Sequence, residues 1–149
     1  MRGDLRNKPK KDDDKVVKKV SEDIVRALQE ENFVEIVRIT NQYFSQYPPR
    51  TDDAGKNAAR KLFDTVNKYV KRIEESQEKG TALNKEINKT VARILATLEH
   101  VKNRREKDRP IKIAARVAEK YLLNAPPDEL KKRLENFGTF MEILVAHVG

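Results

Sequence analysis

Three features of this 149-residue chain predict an all-α fold, a single-domain bundle of five or six helices. Apolar residues recur at steps of three and four along almost the whole length, the spacing that lines one side of an α-helix. No run alternates apolar and polar residues over a strand's length, and proline, glycine and asparagine punctuate the periodic stretches where they stop. A chain of this size buries about two-thirds of the surface that its unfolded form exposes, enough for a core without staples.

Taken in order, Val17, Val20, Ile24 and Leu28 predict a helix from about Asp13 to Gln29, its acidic start Asp12-Asp13-Asp14 suiting the positive end of the helix dipole. Phe33, Ile36, Val37, Thr40, Tyr43, Phe44 and Tyr47 form a second stripe, which either continues that helix or begins a new one after Glu30-Glu31-Asn32. Tyr47-Pro48-Pro49 breaks it, because proline lacks the amide donor and pushes the preceding residue out of helical space. A third stripe runs through Ala58, Ala59, Leu62, Phe63, Val66, Tyr69, Val70 and Ile73 and stops at Gly80, after which Thr81 is the expected cap. The fourth, Leu83, Ile87, Val91, Ile94, Leu95, Leu98 and Val101, ends near Asn103.

Pro110 suits the first turn of a fifth helix carrying Ile111, Ala114, Val117, Ala118, Tyr121 and Leu122. Asn124-Ala125-Pro126-Pro127-Asp128 closes it and caps a sixth, Glu129 to Val148, on which Leu130, Leu134, Phe137, Phe140, Met141, Leu144 and His147 or Val148 share one face. Residues 1–11, with Lys8, Lys10 and Lys11 around Pro9, read as a flexible basic arm ahead of a helical domain over 12–149. Within that domain, 12–47 is an N-terminal helix or helix pair.

Function classes narrow next. Without cysteine there are neither disulfides nor thiolate metal sites, and no apolar run reaches a membrane span, so a cytoplasmic protein is expected. Only His100 and His147 exist, each without an evident polar partner, and both are expected to be packing or surface rings. Neighbouring acids such as Glu74-Glu75 and Asp52-Asp53 point about 100° apart on a helix and make poor metal clamps. No phosphate-cradling glycine loop or zinc-binding histidine pair is present. No enzyme activity and no cofactor are expected.

The charge points elsewhere. Thirty-two Lys and Arg against 24 Asp and Glu leave +8. The excess is concentrated in two segments: Lys56, Arg60, Lys61, Lys68, Lys71 and Arg72 face only Asp64, while Lys102, Arg104, Arg105, Lys107, Arg109, Lys112 and Arg116 face Glu106 and Asp108. Such clustering suits a polyanionic partner. Tyr43, Tyr47, Tyr69 and Tyr121 all sit on or beside apolar stripes, so burial is expected of them rather than base stacking. Contacts to RNA would then go to phosphates and sugars, independent of sequence and weakened by salt.

The closing helix FGTFMEILVAHV, the stretch Arg60-Lys61-Leu62-Phe63-Asp64-Thr65-Val66-Asn67, and Ile94 to Arg104 together resemble the small helical subunit of type III-A CRISPR effector complexes, the Csm complexes. Asn103 stands where that family usually has glycine. The resemblance covers 52–149 and implies a scaffold that stacks along a duplex of guide RNA and target RNA without cutting it. Its partners would be both RNAs, other subunits of the complex and copies of itself, with a homodimer possible for the isolated chain. The phosphate contacts expected are Arg60, Lys61 and Lys68 on the third helix and Lys102, Arg104 and Arg105 at the end of the fourth. Apolar residues left over at helix ends, such as Leu123 or Phe33, are candidates for contacts with neighbours. Two other classes fit the residues: a helical adaptor whose charge serves solubility, and an unrelated helical DNA-binding module.

Overall fold

The computed structural model describes residues 2–49, 53–104 and 108–148, with side chains over 14–49, 56–104 and 108–148. Six α-helices follow one another: α1 (Arg2–Gln29), α2 (Phe33–Gln46), α3 (Asp53–Glu74), α4 (Gly80–Arg104), α5 (Arg109–Ala118) and α6 (Leu130–Val145). A π-helical turn, Glu119–Leu123, extends α5, and a 3-10 turn, Pro127–Glu129, precedes α6. Among the described residues there is no strand, and the all-α bundle expected from periodicity is the fold observed. The range of α1 takes in residues 2–11, where a flexible arm was expected.

The choice between one N-terminal helix and two is settled at Glu31. Asn32 N–H donates to Ala27 O at 2.8 Å and Glu31 N–H to Leu28 O at 3.0 Å, the paired bonds that close a helix through a left-handed residue. Glu31 takes that conformation, with φ 55°, where glycine is the usual choice. The Asn32 side chain then accepts from Glu35 N–H at 3.2 Å and starts α2. Glu31 is held across the bundle by Lys132 at 2.9 Å, which lowers the Glu31 carboxyl and raises the Lys132 amine.

α5 is the central element. Pro110, Ile111, Ile113, Ala114, Ala115, Val117 and Ala118 are all buried, and the short alanines let α1 and α4 pack close on either side. Asp108, itself buried, caps it by accepting from Ile111 N–H at 3.1 Å. The π turn then directs both Tyr121 and Leu122 inward and leaves Leu123 60% exposed. Tyr121 O–H donates to Leu28 O at 3.4 Å and accepts from Asn136 at 3.1 Å, so it is a core residue with its polar tip satisfied, as expected of the tyrosines. Phe33 packs against the core, whereas Val37, expected on the inward stripe of α2, is turned to solvent. It lies about 100° around the helix from Ile36, at the margin of the buried arc that Ile36, Thr40, Tyr43 and Phe44 define.

Two terminal assignments differ from expectation. Gly80 opens α4 with φ +60° instead of closing α3, which already ends at Glu74. Asp128 lies within the 3-10 turn that Pro127 begins, and α6 starts with no side-chain cap. The inward face of α6 is as expected: Phe137, Phe140, Met141, Leu144 and Val148 are buried.

His147 packs its ring 4.8 Å from Phe44, centroid to centroid, with Nε2 3.1 Å from Thr40 Oγ1. The Thr40 hydroxyl proton is directed to the carbonyls of Ile36 at 2.9 Å and Val37 at 3.1 Å, so Nε2–H of the neutral ring is the donor to Oγ1. Burial holds the imidazole below its ordinary value. The unfolded chain therefore takes up this proton first as pH falls through about 6.5, and stability present above that pH is progressively lost below it, down to the folded-state value. His147→Phe is expected to remove this component. Thermal midpoints of both proteins between pH 8 and pH 5 check it, and parallel curves would contradict it.

Candidate nucleic-acid interface

The inward side of α3 is set by Ala59, Leu62, Val66, Val70 and Ile73, all buried. At 100° per residue, the arc opposite them holds Arg60, Lys61, Lys68, Lys71 and Arg72 within about 120°. All five are exposed. They extend over roughly 18 Å of helix, with Asp64 as the one acid between them. Three candidates from the sequence thus come together on one face, and Lys71 and Arg72 join them. Their signal was present in the spacing, since a step of eleven residues, from Arg60 to Lys71 and from Lys61 to Arg72, returns a side chain to within about 20° of the same face.

Much of this face has no acidic partner. Ion pairs link Lys19 and Arg26 to Asp23, Arg38 to Glu35, Lys112 to Asp14, Lys120 to Glu22, Lys132 to Glu31 and Arg133 to Glu129. Among the described residues, Lys61, Lys68, Lys71 and Arg72 have no acidic partner; Arg72 lies over the Tyr69 ring at 5.8 Å. Part of the positive charge of α1, α2, α5 and α6 is thus paired within the fold, while Lys61, Lys68, Lys71 and Arg72 stand exposed on α3.

The α4 candidates separate. Lys102 and Arg104 are two residues apart and so point to opposite flanks of the helix. Lys102 is only 31% exposed in its side chain and sits 3.1 Å from Glu99, which partly neutralises it. Arg104 is exposed. Arg105 lies outside the described residues.

Other chemistry finds less support. Among the described residues no group of three or more His, Asp or Glu side chains is gathered to hold a metal ion. A polar cleft of about 200 Å³ lies between Glu31, Tyr121, Glu129, Lys132, Arg133 and Asn136. It is smaller than the roughly 300 Å³ at which small-molecule pockets begin, and its charges pair with one another. Arg133 donates to Tyr121 O at 2.9 Å and lies 4.9 Å over the Tyr121 ring, so the cluster acts as a latch between the π turn and α6. No described helix is long and apolar enough to cross a membrane.

No protein-family model matches the chain, and no curated protein and no solved structure matches it either.

Proposed function

We propose that this protein binds RNA through its phosphates without cutting it, as the small helical subunit of a type III-A CRISPR effector complex that its sequence resembles. The observation that carries the reading is the exposed basic face of α3, on which Lys61, Lys68, Lys71 and Arg72 have no acidic partner among the described residues. A helix seated on a buried core holds the backbone of Arg60, Lys61 and Lys68 in fixed register, so the ordering cost of docking to a phosphate backbone is confined to the side chains. Arg60 adds a planar fork that can bind one phosphate with two hydrogen bonds, while the lysines act as point charges. Such contacts carry no base information, which suits a scaffold that must accept any guide and target sequence. Lys102, Arg104 and Arg105 remain contacts implied by the resemblance, with Arg104 the best exposed of those described.

Purified protein titrated with an unstructured RNA of about 40 nucleotides across a salt series tests this reading. Affinity is expected to fall steeply with salt, without cleavage of the RNA. In Arg60→Ala, Lys61→Ala, Lys68→Ala the slope of log affinity against log salt is expected to be shallower by about 2, at about 0.7 per lost single-strand phosphate contact. No binding at low salt would sink the proposal and favour the protein adaptor. A strong preference for one duplex DNA sequence would favour the DNA-binding module.

A further inference from the structure

The outward side of α4 holds a second row of cations. Ile87, Val91, Ile94 and Leu98 fix its inward face, all buried. Opposite them, Lys85, Lys89, Arg93, His100 and Arg104 fall within an arc of about 100°, extending over roughly 28 Å of helix. Lys85, Lys89, Arg93, His100 and Arg104 are exposed, and the same arc holds the exposed Ala96 between them and Ala82 just before them, which leave room for close approach. The acid on this arc, Glu86, already accepts from Ser76 Oγ at 3.0 Å. Among the described residues no acid pairs with Lys85, Lys89, Arg93 or Arg104, in contrast to Lys102 on the other flank.

The two rows share an edge. α6 occupies the Val70 flank of α3, since a Cβ built on Gly138 would lie 3.3 Å from Val70 Cγ2. α4 also packs on α3, and the bond from Ser76, just past the end of α3, to Glu86 identifies which side of α4 is turned toward it. Arg93 and Arg104 lie within about 20° of Glu86 around α4, so they stand on the edge nearest α3. On α3 the flank away from Val70 is bordered by Lys68, Lys61 and Arg72. Packed helices lie about 8–10 Å apart, which sets the separation of the rows.

We infer that Lys85, Lys89, Arg93 and Arg104 form a second phosphate-binding track, adjoining that of α3, so that a single RNA backbone is held across a two-helix basic face. The inference rests on the RNA-binding reading of α3 and extends it to Lys85, Lys89 and Arg93, which lie outside both basic segments of the sequence. Across this face the described aromatic ring, Tyr69, is covered by Arg72, so the contacts are to the backbone and not to stacked bases.

Three variants separate the possibilities in the same salt titration: Lys85→Gln, Lys89→Gln, Arg93→Gln on α4; Arg60→Ala, Lys61→Ala, Lys68→Ala on α3; and a control of equal charge change, Lys15→Gln, Lys18→Gln, Lys131→Gln. Glutamine keeps helical propensity, and far-ultraviolet circular dichroism checks that each variant is folded. The α4 variant is expected to lose about 2 from the salt slope, like the α3 variant, whereas the control keeps the wild-type slope. An α4 variant indistinguishable from the control, beside an impaired α3 variant, overturns the second track and leaves the first standing. Equal losses in all three would mean that net charge alone governs binding and would overturn the track as well. Failure of the wild-type protein to bind at low salt would remove both readings together.

Discussion

Phe140→Ala is expected to lower the free energy of unfolding by about 3–5 kcal/mol, the range for deleting a fully enclosed aromatic ring. Phe140 is 0% exposed, and its ring lies 5.6 Å from that of Phe137, tilted by 52°. α6 touches α1, α2, α3, α4 and α5, so a cavity at this position has walls on several elements that cannot all collapse inward. Against a total stability of about 5–15 kcal/mol for a domain, the change removes a large share of what holds the bundle. For a chain of this length it corresponds to a fall of about 10–15 °C in the thermal midpoint. Calorimetry or chemical denaturation of the two proteins measures it. A loss below about 1 kcal/mol would mean that α6 is not the core element that its burial indicates.

The same residues explain how far the fold was legible. Phe137, Phe140, Met141 and Leu144 announce a buried helical face because a 3.6-residue period leaves few other arrangements for four large apolar side chains. The break at Tyr47-Pro48-Pro49 was equally plain, since it depends on covalent geometry. In contrast, the stop at Glu31 depends on a glutamate accepting a left-handed backbone, a choice supported by Lys132 from α6 and invisible to local rules. Asp108 caps α5 from within a strongly charged segment, where its acid is hard to tell from the surrounding ion-pairing residues, and the π turn has no local signature in Glu119–Leu123.

The candidate interface divides in the same way. Arg60, Lys61 and Lys68 could be placed on one face by spacing alone. Lys102 and Arg104 looked like neighbours because they are close in sequence, but two residues on a helix put side chains on opposite flanks, and Glu99 at i−3 was already positioned to pair with Lys102. Lys85, Lys89 and Arg93 carried the plainer signal, three cations at four-residue steps. Their adjacency to α3 required the Ser76–Glu86 bond and the position of α6, which are tertiary facts.

Gly138→Leu is expected to destabilise the protein by about 2–3 kcal/mol through overpacking, the opposite fault from the cavity left by Phe140→Ala. Glycine inside a helix gives away about 0.5–1 kcal/mol relative to alanine, so its presence in α6 calls for a local reason. The reason is Val70: a Cβ at position 138 would stand 3.3 Å from one γ-methyl and 3.4 Å from the other. Val70 is buried and β-branched, with one strongly preferred helical rotamer, so it yields only by moving α3 away from α6. Gly138→Ala is therefore expected to be nearly neutral, the gain in helix propensity offset by a displacement of a few tenths of an ångström. Leucine adds three more carbons that the gap cannot hold. Pairing Gly138→Leu with Val70→Ala opens space where the clash occurs, and the double variant is expected to be at least about 1 kcal/mol more stable than the sum of the single effects predicts. Denaturant unfolding of the four proteins in this cycle measures the coupling. Simple additivity would mean that α3 and α6 do not meet at this contact, and the basic face that α3 presents would then lack the support assigned to it.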